Sequence, residues 1–440
     1  MDLSEEEILK SDARYVTHGI GKIPMVVVEG KGAIIKDIKG NEILDCVSGT
    51  SGPVSVGYTH PRVVEAVKKQ VEQLSHSLAL FANIPRTELA ERLASIAPSR
   101  LRGNCVTYFS TGGSEANEVA LKFAMLTKKK AEAVSVFYSY HGGTLATLSL
   151  CGQSWTKLQY PRFPGFYQIP NAYCYRCTFG KEYPGCDFEC ARYLEYQLKL
   201  GSGEKNVAAF ILETVQGNGG HMHPPTPEYF KIVREICDKQ DVLFIIDEVQ
   251  TGLGRTGEMW SCDYFKADPD ILTCGKTLSG GGSPVAATLI RSDLVPSEVM
   301  DNIWHIFSMG GSPLGCACGV AALDILRDEK LPERAAETGR YMTKRLEEMY
   351  KEHPLIGEIR GPGLLIGVEL VKDRRSKEPG LEEAMSVQMK SFQKGVLFGL
   401  SAKPGYGNVI KIKPPLNLTK EQADTALNTL DDALKEVKAV

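Results

Sequence analysis

A run of apolar residues that ends on an acid, Val242-Leu243-Phe244-Ile245-Ile246-Asp247, does most to narrow the folds open to this chain. Apolar throughout and bounded by polar residues, it reads as a buried strand of a parallel sheet. Asp247 then emerges at the carboxyl end, where open α/β sheets hold their ligands. A second run, Pro269-Asp270-Ile271-Leu272-Thr273-Cys274, leads into Gly275-Lys276 and puts that lysine on the same edge. An acid able to keep a pyridinium protonated, beside a lysine able to form an imine, is the least a protein supplies for pyridoxal-phosphate chemistry. The plainer reading of the pair is a strand-capping acid and a solvated surface charge.

Two further segments bear on the choice. Asn104 to Phe109 reads as a strand, Ser110-Thr111-Gly112-Gly113-Ser114 as a glycine-bearing turn, and the following residues as a helix with Val119, Ala120, Phe123 and Ala124 on its apolar face. Free amides at such a helix start, with glycine allowing close approach, make a phosphate cradle; the alternative is an ordinary helix cap by Ser114. No G-x-G-x-x-G dinucleotide fingerprint follows the turn. Downstream, Val134 to Tyr138 is β-rich and leads to Tyr140-His141-Gly142-Gly143, where an aromatic face can stack on a flat heteroaromatic ring. Core packing by Tyr140 and a structural hydrogen bond by His141 are the alternatives.

In this order the segments resemble the class III, fold-type I pyridoxal-phosphate-dependent aminotransferases. The matching pieces are Ser110 to Glu118, Tyr140-His141-Gly142, Asp247 to Gly252 with Gly254-Arg255-Thr256-Gly257, and Gly275-Lys276. Weaker matches run through Gly57-Tyr58-Thr59-His60-Pro61, Glu213-Thr214-Val215-Gln216-Gly217, Arg360-Gly361-Pro362-Gly363-Leu364 and Pro414-Pro415-Leu416, so that the resemblance spans about residues 20 to 435. It implies that Lys276 carries pyridoxal 5'-phosphate as a Schiff base and shuttles the substrate's α-proton, and that Asp247 holds the pyridinium. It implies that Gln250 bonds the ring phenolate, that Tyr140 in the Tyr140-His141 pair stacks on the ring, and that Gly113 and Ser114 take the phosphate. In the family a partner-subunit threonine also reaches the phosphate; Ser308 occupies that position here and keeps the hydroxyl. A homodimer with shared active sites follows from the resemblance.

Two positions depart from the family pattern. An arginine three residues before the Pro-Pro pair often forks onto the substrate carboxylate, and this chain has Lys411 there. Lysine is a point charge without a bidentate fork, so the anion is held more loosely or is a different one. Members that alternate between an amine and a dicarboxylate commonly place a glutamate where this chain has Asn218. Both halves of that switch are altered, which argues against a 4-aminobutyrate or ornithine type of specificity. His221 and His223 follow in the same loop. If Lys411 and Lys413 face the pocket together, a phosphonate or other compact dianion suits them.

A chain of 440 residues, 43% hydrophobic and 24% charged, is expected to fold as two or three domains or one large domain with appendages. Its net charge of -3 argues against a nucleic-acid partner. Without a long apolar stretch, and with an acidic start unlike a signal peptide, the expectation is a cytoplasmic enzyme with no membrane partner. Cys174, Cys177, Cys186 and Cys190, from the total of twelve cysteines, have spacing that suits a structural zinc, with a thiol patch or two disulfides as alternatives. No metal is expected in the active site.

Along the chain, residues 1 to about 55 read as short strands and turns belonging to the small domain. A helix follows Pro61 with Val63, Val64, Val67, Val71 and Leu74 at helical spacing. Residues 56 to 315 read as the cofactor-binding large domain, a parallel sheet with helical crossovers carrying a Cys-rich surface excursion at about 153 to 190. Helices at Gly315 to Leu326, Glu333 to Tyr350 and Lys420 to Lys438, with a turn and strand at Gly361 to Leu370, form the remainder. The fold expected is α/β: a three-layer αβα large domain and a smaller α+β domain built from both chain termini. The chemistry expected is amino-group transfer between an amino acid or amine and an oxo acid. A racemase, decarboxylase or ammonia-lyase is the alternative on the same scaffold, and a non-catalytic cofactor-binding protein the more remote one. Burial and nearby positive charge are expected to depress the Lys276 pKa.

Overall fold

A computed structural model of the chain describes residues 4–17, 23–153, 162–203, 205–296, 304–401 and 407–437. It begins with a helix, Glu5–Tyr15, where the sequence suggested strands and turns. A capping box between Ser4 and Glu7 starts it, a local signal that the apolar pattern does not carry. None of its residues is buried.

Strands β1 (Val27–Lys31), β2 (Ile34–Asp37) and β3 (Glu42–Cys46) come next. The helix Pro61–Gln73 then forms as expected, with Pro61 in its first turn and Val63 buried, but Val71 and Leu74 lie about half exposed, at 51% and 46%. Strands β4 (Cys105–Ser110), β5 (Glu132–Val136), β6 (Phe166–Ile169), β7 (Val207–Leu212), β8 (Leu243–Asp247), β9 (Ile271–Cys274) and β10 (Ala286–Arg291) make a seven-stranded sheet in the order β4-β10-β9-β8-β7-β5-β6. Side chains alternate between its two faces. Leu243, Ile245 and Ile271 pack with Phe123 and Ala124 of the helix Gly113–Lys128, while Phe244, Ile246 and Leu272 pack with Phe230, Val233 and Ile236 of the helix Glu228–Lys239. The sheet is covered on both sides, which is why its strands read as unbroken apolar runs.

The expectation of a wholly parallel sheet is corrected at β10, which runs antiparallel to both β9 and β4. The connection over residues 275–285 holds one short 3-10 turn and no crossover helix, too little chain for a parallel return. The expected surface excursion also contributes to the body of the protein. Its β6 closes the sheet edge against β5, and Ile169, Ala172 and Tyr173 are buried. The thiols of Cys174, Cys177, Cys186 and Cys190 are free, and no three of them lie within 4.8 Å of one another, so the geometry is not that of a tetrahedral zinc site.

A second seven-stranded sheet joins strands from both ends of the chain: β11 (Ile356–Arg360), β12 (Ile366–Leu370), β13 (Val396–Leu400) and β14 (Val409–Ile412) continue from β3 in the order β1-β2-β3-β13-β14-β12-β11. The helices Pro313–Asp328, Leu331–Glu352 and Lys420–Glu436 stand where the sequence put them; the helix Leu381–Gln393 was not foreseen. Fully buried Arg255 ties the two sheets together. Its guanidinium donates to the carbonyls of Leu364 and Pro414 and to Ser55 Oγ at 2.7 Å. A second strut links the Cys-rich segment to the small sheet, where Arg176 and Arg360 both pair with buried Glu369.

Candidate active site

Gly113, Ser114, Tyr140, His141, Asp247, Gln250 and Lys276 line one cavity of about 170 Å³, together with Asn117, Gly142, Glu213 and Val249. Its floor is the carboxyl edge of the large sheet. Asp247 ends β8 and is paired in register with Thr273 on β9, and Lys276 follows two residues after that strand. Lys276 adopts φ +42°, a left-handed conformation uncommon for a residue with a side chain. Local strain of this kind is held in place by the surrounding structure and gathers at functional sites.

Asp247 is fixed from three directions. Its Oδ2 accepts from Asn117 Nδ2 at 2.8 Å and lies 2.9 Å from His141 Nδ1, and its Oδ1 accepts from the Val249 amide at 3.0 Å. Asn117 is held in turn, donating to the His141 carbonyl and accepting from Thr273 Oγ1 at 2.7 Å. His141 therefore takes the structural role the sequence left open for it, orienting Asp247. Its Nε2 is buried with no hydrogen-bond partner.

The helix Gly113–Lys128 opens at the cavity with Gly112 as N-cap and no side-chain cap, so its first amides are not covered by the protein. Ser114 lies inside the helix and is not its cap; its Oγ accepts from the Gly143 amide at 3.1 Å. Glycine is required on both sides of this contact. A Cβ on Gly113 would stand 2.6 Å from Val249 Cγ1, and one on Gly142 would stand 2.5 Å from Ser114 Oγ. Tyr140 lies beyond the end of β5, after a turn at Tyr138 with φ +65°. Its amide donates to Glu213 Oε1 at 2.9 Å.

Burial lowers the pKa of the Lys276 ammonium, and Asp247 and then Glu213 oppose the shift. The expected positive neighbours are thus not what lowers it. Burial raises Glu213 to about 7, with Asp247 adding to the rise and His141 opposing it.

Lys411 and Asn218 stand beside the cavity and in contact with each other, with Lys411 Nζ donating to Asn218 Oδ1 at 3.5 Å. His221 is buried beside Lys411, whereas His223 is half-buried against Phe265, with its Nδ1 2.8 Å from the Pro224 carbonyl. Ser308 is exposed on a turn outside the cavity, so a single chain does not bring it to the other residues. Asn117 and Glu213 were missed as site residues, while Lys413, considered beside Lys411, reaches Gln250. Glu213 was within reach, because it follows the apolar strand β7 as Asp247 ends β8; Asn117 carries no local signal and is recognisable only through its contacts.

Residues 15–434 match the family described as Aminotransferase class-III. The chain is 34% identical to the taurine–pyruvate aminotransferase of Bilophila wadsworthia, over 100% of this chain and 99% of that protein. It is also 34% identical to the leucine/methionine racemase of Thermococcus litoralis, over 99% and 97% of the two chains. Among solved structures, the omega transaminase from Pseudomonas jessenii in complex with PMP superposes with a TM-score of 0.90 at 28% identity, covering 98% of each chain.

Proposed function

The chain belongs to the class III aminotransferase family, and from that membership we propose how its own residues carry out amino-group transfer. It is a pyridoxal 5'-phosphate-dependent aminotransferase that moves an amino group between an amine and an oxo acid. The observation that carries the assignment of roles is the pairing of Asp247 and Lys276 on adjacent strand ends of one cavity.

The cavity fits the cofactor. The uncapped helix start at Gly113 and Ser114 offers amides and a hydroxyl to a phosphate, Asp247 offers an oriented carboxylate to a pyridinium, and Tyr140 and Gln250 border the space between. When bound, pyridoxal phosphate supplies an aldehyde that takes up the amino group and an electron-poor ring that acidifies the adjacent C–H. Lys276 would hold that group and, as a neutral amine, would move the proton at the acidified carbon. Its lowered pKa favours the neutral amine that this step needs. Asp247, its orientation fixed by Asn117, His141 and the Val249 amide, would meet the ring nitrogen. Lys411, backed by Asn218, meets an acidic group on the substrate.

Ser308 completes the phosphate site from a second copy in a homodimer. The exposed apolar residues Val71, Leu74, Leu78, Leu80, Phe81 and Ile84 offer the surface such a dimer buries. Among the described residues no helix is long and apolar enough to cross a membrane, and a cytoplasmic location is the reading consistent with this. The domain division proposed is near residues 55 and 315.

Racemisation is the second reading, favoured by the racemase among the relatives and by the altered pair Lys411 and Asn218. Incubating the holoenzyme with taurine, N-acetylornithine or L-leucine, with and without pyruvate or 2-oxoglutarate, separates the two. Amino transfer that depends on the oxo acid supports the aminotransferase. Loss of optical activity from leucine without any oxo acid supports the racemase.

A further inference from the structure

Lys411 and Lys413 are two residues apart on an extended segment, so their side chains leave the same face of the small sheet. Lys411 has glycine as its cross-strand partner on both sides, Gly367 on β12 and Gly399 on β13. Its stem crosses the bare backbone of Gly399, where a Cβ would meet Lys411 Cβ at 3.2 Å and Cε at 3.5 Å. Lys413 is anchored by its amide to the Cys46 carbonyl at 2.9 Å, and its Nζ donates to Ser51 Oγ at 2.6 Å and to Gln250 Oε1 at 3.5 Å. Ser51 leads directly to Gly52, whose Cβ position lies 3.8 Å from Lys276 Cδ. Lys413 therefore reaches the wall of the cavity at Gln250, and Lys411 stands within electrostatic reach of Glu213 and Lys276, which line it.

The two lysines are 4% and 2% exposed, and neither has a carboxylate partner among the described residues. Two buried, unpaired like charges are costly to keep unless an anion joins them. Burial lowers both pKa values; at Lys411 the charge of Glu213 opposes the fall and that of Lys276 adds to it, and at Lys413 the charges of Lys411 and Lys276 add to it. His221, beside them, is held neutral by burial and then by the charges of Lys413 and Lys411. One carboxylate is matched by one cation, and best by an arginine fork. Two compact ammonium groups, with Ser51 and Asn218 at hand, match several oxygens spread around one centre.

We propose that Lys411 and Lys413 form a subsite for a compact tetrahedral dianion, a phosphonate or phosphate monoester, carried a few atoms from the amino group of the substrate. This rests on the aminotransferase reading of the same cavity, and it narrows the substrate to short amines ending in such a group.

The test uses the holoenzyme, so that the cofactor's phosphate occupies the helix start. Methylphosphonate, methyl phosphate, methanesulfonate and acetate are titrated by calorimetry at pH 7.5, which needs no turnover, and the affinities of the two phosphorus acids are referred to the fraction of each present as dianion. The two tetrahedral dianions are expected to bind at least about 10-fold more tightly than the sulfonate or acetate. The two dianions together distinguish a phosphonate from an ester. Lys411→Met and Lys413→Met should each weaken the dianions about 10- to 100-fold and acetate by clearly less, while the cofactor's visible band shows that the site is intact. Equal binding of all four anions, no binding of the dianions, or dianion binding that survives both substitutions overturns the proposal. So does a Lys413→Met variant that alters only the visible band, which would make Lys413 a partner of the cofactor ring. In parallel, amino transfer from 2-aminoethylphosphonate, taurine, β-alanine and propylamine to pyruvate reports on the aminotransferase reading itself. Transfer from the other amines with no preference for the phosphonate overturns the subsite alone, and absence of transfer from every amine counts against the reaction class instead.

Discussion

Asp247 and Lys276 stand at the carboxyl ends of neighbouring parallel strands, with Asp247 in register with Thr273 and the lysine reached through Cys274 and Gly275. Because both strands are buried on both faces, this spacing is set by the sheet and not by a loop. Acid and amine are held at the lining of one cavity before any ligand arrives.

Removing the charge of Asp247 while keeping its shape, in Asp247→Asn, is expected to lower kcat on the order of 10²- to 10³-fold or more, with a smaller loss of cofactor affinity. Steady-state kinetics at saturating cofactor checks this. A fall of less than about tenfold, roughly 1.4 kcal/mol, would show that Asp247 does not serve the ring.

Asn117 acts on the reaction through Asp247, as a positioning residue. Asn117→Ala removes a donor to a buried carboxylate, an interaction worth about 1.5–3 kcal/mol. kcat is expected to fall about 10- to 100-fold with the KM for amine little changed. A rise in KM at unchanged kcat would contradict the role.

Gly113→Ala is expected to weaken cofactor binding at least about tenfold, because the added methyl meets Val249 and crowds the helix start. Val249→Ala in the same chain should restore part of the affinity. If the double variant binds no better than Gly113→Ala alone, the clash with Val249 is not the cause.

The pH dependence of anion binding follows from Lys411, whose pKa burial lowers to about 8, with Lys276 adding to the fall and Glu213 opposing it. The protonated lysine is the binding form. Affinity for an anionic substrate is therefore full below about pH 7 as far as Lys411 is concerned, and falls about tenfold per unit above pH 8. Glu213, raised to about 7, gains its negative charge over the same range and steepens the loss. Neutral amines should show no such decline, and Lys411→Arg should move it to higher pH for a carboxylate substrate.

Much of this was legible in the chain, because the large sheet is covered on both faces. Strands β7, β8 and β9 appear as apolar runs with polar ends, and the residues that leave those ends are the site. The pairing of β10 was not legible, since strand direction depends on the connection over 275–285 and not on the strand's own pattern. Nor was Asn117, whose role arises from contacts with Asp247, His141 and Thr273 across wide sequence separations. Val71 and Leu74 have the apolar period of a core helix but lie exposed on a single chain, since the pattern marks a face to be buried and does not say against what. The cysteine spacing suggested a metal; the four thiols gather near enough that Cys174 and Cys190 are raised by burial and then by the neighbouring thiols, yet no three lie within 4.8 Å of one another.

The most direct test of the central claim is to reduce the yellow holoenzyme with borohydride and map the modified peptide. Lys276, Lys411 and Lys413 are all buried beside the cavity with lowered pKa values, so each is chemically able to hold the cofactor's aldehyde. The predicted result is a single cofactor-bearing peptide containing Lys276, with Lys276→Ala retaining the cofactor without fixation and showing no turnover. A label on Lys411, on Lys413 or on any peptide without Lys276 would contradict the account.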